Sequence, residues 1–119
     1  MLENIETMKN EYFALTCMKA LFESDKMSES LLYILLDKDK CCNVIGGHYF
    51  NSILKEIDSN INQEELTIAR LDGTSKARYL KTILTWNGRS FIVTNYWYGP
   101  NTKKEDNRTP FLNWIEKYL

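Results

Sequence analysis

The dipeptide Asn87-Gly88 limits the possible folds of this chain more than any other feature, because it predicts a tight β-hairpin. A type I′ turn needs a positive φ at both central positions, and asparagine and glycine tolerate that conformation best. Apolar and polar residues alternate on both sides of the turn, as in strands with one buried face. The turn and the alternation together predict a single register. On the face expected to cover the helices, Trp86 pairs with Arg89, Leu84 with Phe91, Thr82 with Val93, Leu80 with Asn95 and Arg78 with Trp97.

The opposite face of the hairpin mixes tyrosines with polar residues. Its predicted pairs are Thr85 with Ser90, Ile83 with Ile92, Lys81 with Thr94, Tyr79 with Tyr96 and Ala77 with Tyr98. Tyrosine combines apolar area with a polar tip, so this face suits a contact surface. A second layer of protein covering the same face is the alternative interpretation.

The remaining elements follow from the spacing of apolar residues. Spacings of three and four predict an amphipathic helix over residues 2–23. The apolar run at 31–36 favours a helix but leaves open a buried strand, followed by a turn and a second strand up to residue 45. Further predictions are a helix over 48–57, a strand over 65–71, and a closing helix over 111–119 capped by Thr109 with Pro110 as its first residue.

These elements predict one α+β domain over residues 1–119, with an antiparallel β-sheet whose central β-hairpin packs against N-terminal and C-terminal amphipathic helices. Three cysteines, two of them adjacent, favour reduced thiols. The first residues do not follow the pattern of a secretory signal, and no apolar run is long enough to span a bilayer. We therefore expect a cytoplasmic protein with no membrane partner.

Charge is distributed unevenly along the chain. The net charge is −1, but residues 76–104 contain six basic residues and no acidic one, so this segment carries +6 and the remainder −7. A basic face attracts phosphates or acidic proteins whatever the fold. A solvated sheet face with no partner is an equally good explanation of the pattern.

The sequence contains no local catalytic or metal-binding motif. His48 is the single histidine, and no Cys-x-x-Cys pair is present, so we expect no metal, no cofactor and no catalytic residues. His48 follows Gly46-Gly47 and is a candidate acid or base, although a packing role is commoner for a lone histidine.

The residue types of the hairpin favour a non-catalytic binding protein, such as an immunity protein, an antitoxin or a phage-type anti-defence inhibitor, that occludes a protein partner. Aromatic residues and arginine dominate the energetics of interfaces. The predicted binding residues are Arg78, Tyr79, Lys81, Arg89, Tyr96, Trp97 and Tyr98. In the alternative function, a small ribonuclease toxin or RNA-binding module, the same cations hold phosphates and the tyrosines stack on bases. The sequence pI of about 5.8 counts against RNA.

One resemblance bears on that alternative. The stretch 73–112 resembles the C-terminal sheet of small bacterial toxin domains related to the barnase, EndoU, colicin and RelE ribonuclease group. The matching residues are Arg78-Tyr79, 84–89, Val93-Thr94, Trp97 and 109–112, within about a third of the chain. The resemblance implies ribonuclease activity, here without a metal. Such domains tend to end in a strand bearing a polar site residue, whereas residues 113–116 continue a predicted helix.

Overall fold

The computed structural model describes residues 4–119, apart from the side chain of Glu6. The helices in this part of the chain are α1 (Asn10–Glu23), α2 (Glu29–Leu35), α3 (Lys38–Lys40), α4 (Gln63–Leu71) and α5 (Arg108–Ile115), with a π-helical turn at Cys41–Ile45 and 3-10 turns at Ile5–Thr7 and Glu116–Tyr118. The strands are β1 (Leu54–Ile57), β2 (Leu84–Trp86) and β3 (Arg89–Val93). The predicted α+β class, with helices at both ends and a β2-β3 hairpin, is confirmed.

The N-terminal helix is shorter than predicted. Residues 2 and 3 lie outside the described part of the chain, and Met8 and Lys9 are extended, so α1 begins only at Asn10. The guanidinium of Arg108 donates a hydrogen bond to the carbonyl oxygen of Met8 at 2.7 Å. A contact with the far end of the chain therefore accompanies this break, which local apolar spacing does not reveal.

The helical interpretation of residues 31–36 is correct, and the strand alternative is not. Ser28 caps α2 by accepting a hydrogen bond from the backbone N–H of Leu31, and Asp37 caps α3 in the same way. Side-chain oxygens at these positions satisfy N–H groups that a helix start leaves unpaired. The chain then continues through the π-helical turn to Gly46, which has φ 100°.

Two predicted elements are wrong, and they are adjacent in the chain. The helix predicted for 48–57 is a loop followed by β1, and the strand predicted for 65–71 is helix α4. Asn62 and Glu65 form a capping box, in which each side chain accepts a hydrogen bond from the backbone N–H of the other. This reciprocal cap fixes the start of a helix and outweighs the weak apolar alternation in the segment.

The sheet is antiparallel in the order β1-β3-β2. Near the turn the predicted register is confirmed, since Leu84 lies opposite Phe91 and Thr85 opposite Ser90. Farther away it is wrong, because Thr94 lies opposite Tyr79 and not opposite Lys81, a shift of two residues. A shift of two leaves each side chain on its predicted face but moves residues 81–83 out of the pairing.

Helices cover both faces of the sheet. The main core lies between one face and α1, α2 and α5, and it includes Phe13, Leu32, Phe91 and Phe111. Helix α4 covers part of the other face in a smaller core formed by Ile57, Leu66, Tyr79 and Ile92. The alternative interpretation, in which a second layer of protein covers this face, is therefore correct for the part of the face around Tyr79 and Ile92. None of the helices in the described chain is long and apolar enough to cross a membrane.

The closing helix begins earlier than predicted, before both the range 111–119 and Pro110, its predicted first residue. Helix α5 starts at Arg108, and the side chain of Asp106, not that of Thr109, accepts a hydrogen bond at its first turn. Asn107 occupies the cap position without capping the helix by its side chain. Its side-chain amide instead forms hydrogen bonds with the backbone of other segments.

Candidate binding surface

Four rings and one guanidinium meet beyond the end of the paired strands, and we call them the aromatic cluster: His48, Phe50, Arg78, Tyr96 and Tyr98. The Tyr96 ring lies 4.9 Å from Tyr98, 5.8 Å from His48 and 6.5 Å from Phe50, measured between centroids. The guanidinium carbon of Arg78 lies 3.8 Å from the centroid of Phe50. Phe50 is 40% exposed, His48 is exposed, and both tyrosines are half-buried. The cluster thus presents aromatic area and one cation to solvent.

Three separate segments supply the aromatic cluster. His48 and Phe50 come from the loop before β1, Arg78 precedes β2, and Tyr96 and Tyr98 follow β3 after it leaves the sheet. The sequence predicts Arg78, Tyr96 and Tyr98 as binding residues but predicts that Phe50 lies within a helix. No local pattern identifies Phe50 as a surface residue, because its neighbours come from distant parts of the chain.

Asn107 joins the loop that carries His48 to the segment that carries the tyrosines. Its side-chain amide donates hydrogen bonds to the carbonyl oxygens of His48 at 3.0 Å and Tyr96 at 2.9 Å. Its side-chain oxygen accepts from the backbone N–H of Tyr98 at 2.9 Å. Asn107 is itself 0% exposed. Buried hydrogen bonds of this kind fix one arrangement of the backbone beneath the cluster.

The loop that contains Gly46 and Gly47 packs directly on Asn107. A Cβ atom at Gly47 would lie 3.0 Å from the Cβ of Asn107, and Gly47 has φ +90°. Beside it, the hydroxyl of Tyr49 donates a hydrogen bond to the carbonyl oxygen of Gly46 at 3.0 Å. Burial raises the pKa of Tyr49 well above its ordinary value, so the hydroxyl remains a donor. Glycine at position 47 is therefore explained by packing without invoking a phosphate loop.

Arg78 is fixed through its backbone and stacked through its side chain. Its N–H donates to the carbonyl oxygen of Arg70 at 2.7 Å, and its carbonyl oxygen accepts from the N–H of Asn95 at 3.0 Å. The Nε atom is shielded from solvent and has no hydrogen-bond acceptor among residues 4–119. The position of Arg78 is thus set by packing on Phe50, not by an ion pair within the described chain.

Arg89, also a predicted binding residue, already has acidic partners. Its guanidinium donates to both carboxylate oxygens of Glu56, at 2.9 and 2.6 Å, and lies 3.8 Å from Glu29. Hydrogen bonding to Arg89 lowers the pKa of Glu56 below its usual value. Arg89 therefore fastens β3 to β1 and α2 within the molecule.

Tyr79 and Trp97 are core residues, and Lys81 lies apart from them on the surface. Tyr79 is 1% exposed, its hydroxyl contacts Ser52, and burial raises its pKa to about 12. Trp97 is 2% exposed and packs against Phe13 with ring centroids 5.0 Å apart. Lys81 is exposed in the segment that leaves the strand pairing. Of the seven predicted binding residues, the structure brings only three into the aromatic cluster.

His48 contributes its imidazole ring to the packing of the aromatic cluster. Its imidazole meets Tyr96 edge-on at 5.8 Å, so the packing interpretation describes its contacts. Within residues 4–119, no three histidine, cysteine or acidic side chains are grouped so that they could hold a metal ion. The three cysteines are free, with Cys17 and Cys41 buried.

No protein-family model, no curated protein and no solved structure matches this chain. The expected departure from the ribonuclease toxin domains is present, because residues 108–115 form α5 where those domains tend to end in a strand.

Proposed function

We propose that this chain is a non-catalytic binding protein that occludes a protein partner with its aromatic cluster. The partner is of the kind blocked by an immunity protein, an antitoxin or a phage-type anti-defence inhibitor. The observation that carries the proposal is the half-exposed group of Phe50, Tyr96 and Tyr98 with Arg78 stacked at its margin. Aromatic residues and arginine supply most of the binding energy at protein interfaces.

The fixed backbone beneath the cluster supports this function. Asn107 holds the segments of His48, Tyr96 and Tyr98 together by three side-chain hydrogen bonds. A surface that is already ordered loses less conformational entropy on binding, which leaves more of the contact energy as affinity. Tyrosine adds to this effect, because it has few rotatable bonds for its area.

The charge distribution supports a protein partner more than RNA. Arg89 is neutralised by Glu56 and Glu29, which removes one cation from the basic segment. The chain as a whole has a net charge of −1. Affinity for nucleic acid depends on many simultaneous phosphate contacts, and these features reduce their number.

The decisive variant is Tyr96→Ala, tested by affinity capture from the source cell. We expect it to weaken capture of the protein partner by about thirtyfold, since an interface anchor contributes on the order of 2 kcal/mol. Its melting temperature should fall by no more than about 5 °C, because the side chain is half-buried and outside both cores. Tyr33→Ala, at a tyrosine 54% exposed on α2, is the matched control and should leave capture unchanged.

Two results would contradict the proposal. If Tyr96→Ala unfolds the protein, Tyr96 is a core residue and not a contact residue. If the captured material is RNA, with an affinity that falls steeply as salt rises, the RNA-binding alternative is correct.

A further inference from the structure

We infer that the aromatic cluster binds an acidic side chain of the partner, whose carboxylate pairs with the guanidinium of Arg78. This inference rests on the proposed function and adds the chemistry of the partner: an aspartate or glutamate next to apolar residues. It follows from how the four arginines of this chain are used.

Three of the four arginines are committed to acceptors within the molecule. Arg70 donates from Nε to the carbonyl oxygen of Tyr79 at 2.9 Å, and Arg89 donates to Glu56. Arg108 donates to the carbonyl oxygen of Met8 and to the side chain of Asn10. Arg78 differs, because none of its side-chain N–H groups has an acceptor within residues 4–119. Because Nε is shielded from solvent, the two Nη groups of this half-buried residue form the fork of donors available to another molecule.

Stacking holds this fork in place before any partner arrives. The guanidinium lies 3.8 Å from the Phe50 centroid, and the backbone of Arg78 is bonded on both sides. A planar guanidinium matches the two oxygens of a carboxylate, and a fixed orientation reduces the entropy lost in forming both bonds.

The surroundings favour an anion with an apolar neighbour. Lys76 and Lys81 flank Arg78 in the sequence, are exposed, and have no ion pair with any described residue. Asp72, a nearby acid in the sequence, is bound by Lys55 at 2.8 Å. Phe50 and Tyr96 supply apolar area beside the cation. The charge and the rings together fit an acidic residue within an otherwise apolar patch of a protein.

The test follows the Nε–Hε signals of the four arginines and the ring signals of Phe50 by NMR in the full chain. The probes are a soluble peptide containing glutamate and tyrosine, the same peptide with glutamine replacing glutamate, and single-stranded oligouridylate. We expect the glutamate peptide to shift the Arg78 and Phe50 signals saturably, and the glutamine peptide to leave them unchanged. The inference is overturned if both peptides shift the Arg78 signals equally, or if neither peptide shifts them. It is also overturned if oligouridylate binds Arg78 more tightly than the glutamate peptide does.

Matched variants separate charge pairing from folding. Arg78→Gln should weaken binding of the glutamate peptide by about tenfold, as expected for hydrogen bonds to a charged group. Arg89→Gln, the same chemical change at an arginine already paired with Glu56, should leave that affinity unchanged. Arg78→Lys keeps the charge without the fork and should give an intermediate affinity. Equal affinities for all three variants would overturn the inference.

Affinity capture from the source cell distinguishes failure of this inference from failure of the proposed function. If Arg78→Gln retains the protein partner while Tyr96→Ala loses it, the carboxylate inference is wrong and the proposed function stands. If both variants retain the partner, the aromatic cluster is not the binding surface and both proposals fail. Tryptophan fluorescence confirms beforehand that each variant is folded.

Discussion

Replacing Asn107 with alanine should destabilise the protein more than its position in a loop would suggest. The change removes two hydrogen bonds donated by the side-chain amide and one accepted by its oxygen, at a residue that is 0% exposed. Each such bond contributes about 1 kcal/mol net. The expected loss in the free energy of unfolding is therefore about 3 kcal/mol, a large part of the 5–15 kcal/mol typical of a domain.

Urea unfolding followed by tryptophan fluorescence measures this loss, because Trp97 is packed in the core beside Phe13. At roughly 4 °C for each kcal/mol, the melting temperature should fall by about 12 °C. Asn113→Ala is the matched control: it is an exposed asparagine on α5 and should change stability by less than about 0.5 kcal/mol. A loss below about 1 kcal/mol for Asn107→Ala would show that its bonds do not hold the segments together.

Two further predictions concern packing beside the cluster and thiol reactivity. Gly47→Ala should destabilise the protein more than Gly73→Ala in urea unfolding, since both glycines have positive φ but only at Gly47 does a new Cβ meet other atoms within 4 Å; equal losses would refute the packing argument. A maleimide should modify half-buried Cys42 in the native protein, whereas Cys17 and Cys41 should react only after denaturation, because burial raises each pKa to about 12. Rapid native labelling of more than one thiol, measured by mass spectrometry, would contradict this.

The hairpin shows how far local sequence rules extend in this chain. The Asn87-Gly88 turn fixes the pairing of Leu84 with Phe91, because turn geometry and apolar alternation act on the same few residues. The pairing of Tyr79 with Thr94 depends on how residues 81–83 leave the strand. That departure is decided by distant contacts, since Tyr79 packs against α4 and bonds to Ser52.

The predictions for the segments of β1 and α4, where a helix and a strand were expected, fail for two different reasons. The apolar residues Leu54 and Ile57 fit either a helix or a strand, and pairing with β3 decides in favour of a strand. Helix α4 had a readable signal in the capping box of Asn62 and Glu65, which outweighs an alternation extending over only a few residues.

The sequence predicts the types of residue found in the candidate site, but it does not predict the full set of residues that form and support it. Tyr96, Tyr98 and Arg78 are residues that interfaces favour, and they do lie together. Phe50 and Asn107 carry no local signal, because each acts through segments far away in the chain. A polar residue beneath a binding surface is recognised only once the fold shows what its side chain joins.

The fold also explains why this end of the predicted contact face is left open. Helix α4 covers the face where β1 and β3 pair, over Ile57 and Ile92. The last bridge in line with β3 is at Thr94, after which the chain lies outside the sheet. Tyr96 and Tyr98 lie beyond that point, where neither α4 nor the main core covers their rings completely. The aromatic cluster is therefore the part of the second hairpin face that α4 does not cover. Substitutions in this part of the face can test the two proposals without disturbing the core.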